Sequence, residues 1–124
     1  MSGAITDWRE QLAAVLAEAL GPNVPVYPEP PANITAPCVV VGLAEGTLTG
    51  HCTWDVTTTV TAMSGGGDNQ PILGNLETVL EGAAVALWAA GVRGDWEAPT
   101  QATYAGQTVL AATFRTTRPL RLGV

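Results

Sequence analysis

One histidine and two cysteines are the residues of this 124-residue chain best suited to do chemistry. A nucleophilic site of the Ser-His-Asp or Cys-His kind would have to use His51, since the chain holds no second imidazole to take the proton. Cys52 follows it directly, but consecutive residues of a strand point to opposite faces of a sheet. Cys38 could approach from another strand, yet nothing specific supplies the acid that would orient the imidazole. Two cysteines and one histidine fall short of the four ligands of structural zinc, and their spacing matches no zinc motif. Gly65-Gly66-Gly67 runs into a helical pattern and invites comparison with a phosphate cradle. The G-x-G-x-x-G pattern fails, the Walker pattern needs a lysine the chain lacks, and Asp68 puts negative charge where an anion would sit. Gly65, Gly66, Gly67, Asp68 and Asn69 therefore read as a mobile loop available to a partner. Glu77 and Glu81, four apart on a helix, and the pair Asp95 and Glu97 read as solvated faces rather than acid–base pairs. Trp8, Trp54 and Trp88 fall on apolar stripes and are expected in the core. No catalytic, cofactor or metal-binding residue is assigned.

The totals narrow the class of protein. A hydrophobic share of 47% in 124 residues is that of one folded domain with one core. No apolar run approaches the ~20 residues of a membrane span. The start, MSGAITDWREQ, lacks the basic and apolar regions of a secretion signal, so synthesis in the cytoplasm and free thiols are expected. Eleven acids face five bases, all arginine, for a net charge of −6. The distribution is uneven. Residues 1–97 hold all eleven acids and two arginines, a balance of −9, whereas residues 98–124 hold Arg115, Arg118 and Arg121 and no acid. Acidic balance argues against nucleic-acid binding through the outer surface. A basic end on an acidic body suits head-to-tail contacts between copies or with a partner, with Glu77 and Glu81 on the second helix, or Glu29 and Glu45 in the loops, as acidic counterparts.

Hydrophobic patterning supplies the elements that would carry these groups. Thr6-Asp7 is expected to cap a helix from Asp7 to Leu20, with Trp8, Leu12, Val15, Leu16 and Ala19 as its buried stripe. Gly21-Pro22 stops it. A short strand, Val24 to Tyr27, leads into the stiff connector Pro28-Glu29-Pro30-Pro31. The run CVVV within a strand from Cys38 to Leu43 predicts burial on both faces. Glu45 to Gly50 reads as a turn. In HCTWDVTTTVTAM a mostly apolar set, Cys52, Trp54, Val56, Thr58, Val60 and Ala62, alternates with the polar set His51, Thr53, Asp55, Thr57, Thr59 and Thr61, the pattern of a long two-faced strand. Asp68-Asn69 can cap a second helix, with Pro71 in its first turn and Ile72, Leu76, Val79, Leu80, Ala83 and Leu87 facing inward. Gly91 ends it, a loop over Val92 to Pro99 follows, and strands Gln101 to Tyr104 and Gln107 to Thr117 close the domain around Ala105-Gly106. The end from Pro119 reads as a tail. The resulting order, α-β-β-β-α-β-β, is that of an α+β domain: a mainly antiparallel sheet of about five strands with both helices on one face.

This succession resembles the tail terminator proteins of long-tailed bacteriophages, the lambda-type family, in the form found in phages of actinobacteria. The resemblance covers about residues 5–119 as a single domain, leaving 120–124 as a short tail. It rests on TDWREQLAAVLAEAL, VPVYPEPPANITAPCVVVG, WDVTTTVTAM, the Gly-rich loop before ILGNLETVLEGAAVALWAAG, and the closing YAGQTVLAATFRTTRPL. It implies a non-enzymatic virion protein of the tail and neck, made in the host cytoplasm, that assembles as a homo-hexameric ring without cofactor. Such a ring caps the head-proximal end of the tail tube and stops its polymerisation. Its implied partners are further copies of itself, the major tail tube protein and a head completion or stopper protein. Double-stranded DNA passes the lumen without specific binding, and no membrane is involved. The residues expected at the assembly interface are Arg115, Arg118, Arg121, Glu77 and Glu81. Two alternatives stand beside it: another neck component, such as a head completion or head–tail joining protein, and a small cytosolic thiol enzyme using Cys38 or Cys52 with His51.

Overall fold

The computed structural model describes residues 3–34, 37–42, 44–50, 53–65, 70–104 and 106–121, the side chains of 70–73 and 107 excepted. The chain forms α1 (Ala4–Leu20), β1 (Val26–Tyr27), β2 (Cys38–Val41), β3 (Glu45–Gly50), β4 (Thr53–Gly65), α2 (Gln70–Ala89), β5 (Asp95–Trp96), β6 (Thr100–Tyr104) and β7 (Gln107–Arg121). This is the α+β domain expected, with seven strands instead of about five. All pairings are antiparallel except β1 with β2.

The spine is the pair β4–β7, in unbroken register from Thr53↔Arg121 to Gly65↔Val109. Period-two alternation over thirteen residues gives β4 two unlike faces. Val56, Thr58, Val60, Ala62 and Ser64 are buried on one. Thr57, Thr59 and Thr61 line the other, where Thr57 and Thr61 hydrogen-bond Thr117 and Thr113 across the strand pair at 2.8 and 3.3 Å. Strand β2 flanks β4 from Val60 to Met63, and β3 flanks it from Thr53 to Thr57. On the far side, β6 pairs with β7 over Gln107 to Ala111 and β5 pairs at Phe114 and Arg115.

Both helices pack on the Val60 and Ala62 face. Trp8, Leu12, Ala13 and Leu16 of α1 and Leu76, Val79, Ala83 and Leu87 of α2 bury themselves against Val39, Val41, Ala112 and Phe114. Small residues let the helices close up. A Cβ at Gly82 would come within 2.9 Å of Leu20 Cδ2, the end of a side chain that would have to turn aside. The opposite face carries a second, smaller core of Ile34, Cys38, Val40, Met63, Val109 and Ala111. The Pro-rich connector lies against it, tied by the Tyr104 hydroxyl donating to the Pro31 carbonyl at 2.6 Å. This explains why all four residues of CVVV are buried.

Several expectations are corrected. Glu45 to Gly50 is strand β3, not a turn, and the loop over Val92 to Pro99 contains β5. Helix α1 begins at Ala4 with Gly3 at its cap and no side-chain capping bond, so Thr6 and Asp7 lie inside the first turn. Pro119, Leu120 and Arg121 belong to β7 rather than to a tail. Proline is tolerated there because, among the described residues, no strand pairs the outer side of β7 beyond Arg115. Trp8 is in the core, but Trp54 is only half-buried and Trp88 is 66% exposed. Trp54 has the expected face, at a point outside both apolar cores. Trp88 is displaced from the stripe because it follows Leu87, and successive helical residues diverge by about 100°. The inward residues Leu76, Val79, Ala83 and Leu87 hold as expected, while Leu80 is half-buried.

Candidate assembly surfaces

The β4–β7 register decides where the arginines point. Positions three apart on a strand face opposite ways. Arg115 and Arg121 therefore share the threonine face, while Arg118, opposite Val56, lies on the helix side. The three do not form one basic patch. Arg115 is already engaged within its own subunit, its Nε 3.1 Å from Glu97 Oε1 in an exposed ion pair. Arg118 instead stacks over the Trp8 indole, 4.3 Å from the ring centroid. Among the described residues it meets no carboxylate.

Beside Arg118 is an open depression of about 250 Å³ lined by Trp8, Gly91, Val92, Arg93, Thr116 and Arg118. Thr116 Oγ1 donates to the Arg93 carbonyl at 2.8 Å. The Arg93 guanidinium lies 3.4 Å from the Trp88 ring centroid and donates to the Trp88 carbonyl at 3.0 Å, closing off the C-terminal end of α2. Two arginines thus border this end of the molecule, each on an indole, with no acid in the lining. Among the described residues the buried Trp8 Nε1 donor meets no acceptor. The depression is electropositive on an otherwise acidic chain.

Strand β3 and the adjoining ends of β4 and β7 form a three-stranded end of the sheet, the arm, whose Leu120 packs against the edge of the main core. Register partners share a face, so Leu48, Trp54 and Leu120 make a row across it on the helix side. Leu48 is 58% exposed, and Trp54 and Leu120 are half-buried. The other face of the arm is polar, with Thr53, Asp55, Thr57, Thr117 and Arg121. Glu77 and Glu81 are exposed on α2, away from the sheet, and share one helical stripe with Val85 and Trp88.

Gly65 ends β4, whereas Gly66, Gly67, Asp68 and Asn69 lie outside the described residues, as do His51 and Cys52. Cys38 is a buried free thiol. Burial pushes it up to about 11, which leaves it protonated and unreactive near neutral pH. Among the described residues no three His, Cys, Asp or Glu side chains converge in a way that could hold a metal ion. No helix among them is long and apolar enough to cross a membrane. Sequence reasoning overlooked Leu48, Val85 and Trp88 as surface residues, although the 4-4-3 spacing of Glu77, Glu81, Val85 and Trp88 marks one helix face. The chain matches no family model and no curated protein.

Proposed function

We propose that this protein is a structural subunit of a phage tail, closing into a hexameric ring on the head-proximal end of the tail tube. The ring ends tube growth and gives the filled head a docking surface. The observation that carries the reading is the arm, with an apolar row on one face and a polar face behind it, together with a different apolar patch on the outer side of α2. Two unlike patches on one chain are what a closed ring of identical subunits requires. The order of sequence features resembling tail terminators points the same way. The acidic balance suits a bore through which DNA passes without being held, because like charge keeps phosphates off the wall. A thiol-enzyme reading draws no support from Cys38, whose sulfur is buried and protonated.

Removal of the gene from a producing phage tests this. A terminator's loss gives tubes of uncontrolled length. A head completion or joining role instead gives tails of normal length that fail to attach to filled heads. Infective particles with normal tails would refute both.

A further inference from the structure

Leu48, Val85 and Trp88 are large apolar side chains exposed at 58, 70 and 66%. They fall into two groups on different parts of the molecule. Leu48 continues with Trp54 and Leu120 across the helix-side face of the arm. Val85 and Trp88 share the outer stripe of α2 with Glu77 and Glu81.

We propose that these two surfaces meet between copies of this chain. The arm of one copy, through Leu48, Trp54, Leu120 and Arg118, seats on the α2 stripe of the next, through Val85, Trp88 and Glu81. The inference rests on the ring reading above and names the contact that would build the ring.

Charge complementarity selects this partner. Arg118 is on the same face as Leu120 and two residues away, a separation of ~6.6 Å along a strand. Glu81 is four residues from Val85, a separation of ~6 Å along a helix. Arg118 is the charge beside the apolar row of the arm; on the stripe, Glu77 and Glu81 adjoin Val85 while the Arg93 guanidinium stacks on Trp88, so the Val85 end is the acidic one. Arm against arm would set Arg118 against Arg118, whereas Arg118 placed at the Val85 end of the stripe meets Glu81 at nearly the same spacing. Arg118 is exposed and, among the described residues, meets no carboxylate of its own subunit, so it can take one from a neighbour. A contact of unlike patches leaves one of each unused at the two ends, so it propagates head to tail and ends only by closure.

The test is sedimentation of the whole chain with two variants, Leu48→Asp and Val85→Asp. Both positions are exposed, so unchanged thermal melts are expected for each. Wild type is expected to associate with rising concentration, and each variant alone to stay monomeric. Their equimolar mixture is expected to stop at a dimer, one intact arm on one intact stripe. Arg118→Glu should weaken association several-fold at low salt, and adding Glu81→Arg to the same chain should restore it. A weak contact is caught by disulfide trapping: a Leu48→Cys copy mixed with a Val85→Cys copy should cross-link to each other. Wild type that stays monomeric to its solubility limit, with no mixed cross-link, overturns the proposal. So do variants that assemble as wild type does. In either case tube length in the gene-deletion experiment still judges the ring reading separately.

Discussion

Gly94→Ala should destabilise this protein more than its size suggests. Gly94 enters β5 with its α-carbon turned to β7. A Cβ there would run into the Arg115 carbonyl oxygen and lie 2.7 Å from Phe114 Cζ and 2.9 Å from the Arg115 carbonyl carbon, where ordinary contact is 3.4–4 Å. Most of the obstruction is backbone in the central strand, which cannot rotate away. Relief requires β5 to retreat by roughly 1 Å, and overpacking of this kind costs about 1–3 kcal/mol. Retreat also strains what β5 holds: the Trp96–Phe114 ring pair at 5.1 Å, the Glu97 N–H to Thr113 carbonyl bond at 2.9 Å, and the Thr116 bond to Arg93. The ring pair contributes about 0.5–1.5 kcal/mol and each hydrogen bond about 1 kcal/mol; with these contacts strained rather than lost, a total of about 3–4 kcal/mol is expected. Gly42→Ala is the comparison. Its Cβ would meet chiefly the Thr59 hydroxyl, which can turn about χ1, and a cost of about 1 kcal/mol is expected. Urea unfolding followed by tryptophan fluorescence separates the two. With a slope of about 2 kcal/mol per molar, Gly94→Ala should lower the midpoint by about 1.5–2 M. A Gly94→Ala midpoint no lower than that of Gly42→Ala would refute the reasoning.

Leu87→Ala, in the fully buried stripe of α2, should cost about 3–5 kcal/mol, whereas Trp54→Ala, removing a larger but half-exposed side chain, should cost less. Equal midpoints in the same urea assay would place Trp54 in the core after all. Tyr104→Phe removes the donor to the Pro31 carbonyl and should cost about 1 kcal/mol, with faster hydrogen exchange around residues 31–34 as the specific sign. Cys38, raised in the folded state to about 11, stays protonated where the unfolded chain ionises near ~8.5. Because the unfolded state releases its proton first, stability should fall between about pH 9 and 11, by up to about 3 kcal/mol, and Cys38→Ala should flatten that fall. Parallel pH profiles for the two proteins would count against a buried thiol.

What could be read in advance follows how each element earns its stability. Strand β4 was legible because its two faces meet different surroundings, and the alternation of Val56, Val60 and Ala62 with Thr57, Thr59 and Thr61 records that. CVVV was legible for the same reason, its uninterrupted apolar run matching two covered faces. Strand β3 was not, because EGTLTG has no buried side to imprint a pattern: all six residues are exposed, and only backbone pairing to β4 makes it a strand. Strand β5 is two residues long and fixed by the close approach at Gly94, a feature of the partner strand rather than of its own sequence. The second core was hidden because its cover is the irregular connector around Ile34, which has no period.

The candidate surfaces divide along the same line. Ending the last strand at Thr117 left Arg118 and Arg121 as a loose basic end, and only the continuation of β7 to Arg121 assigns them opposite faces. Arg115, the arginine nearest the body, turns out to be matched by Glu97 within its own subunit. Among the described residues neither Arg118 nor Arg121 meets a carboxylate, and of the two it is Arg118 that lies on the apolar face of the arm. An exposed ion pair contributes only about 0–1 kcal/mol, so neither arginine matters much to folding. Their difference concerns association, where an unmatched charge beside exposed Leu48 and half-buried Trp54 would favour a partner of opposite sign and disfavour its own copy face to face. In the proposed assembly, the side chains left unmatched in a single subunit are therefore the ones that would set the direction of contact.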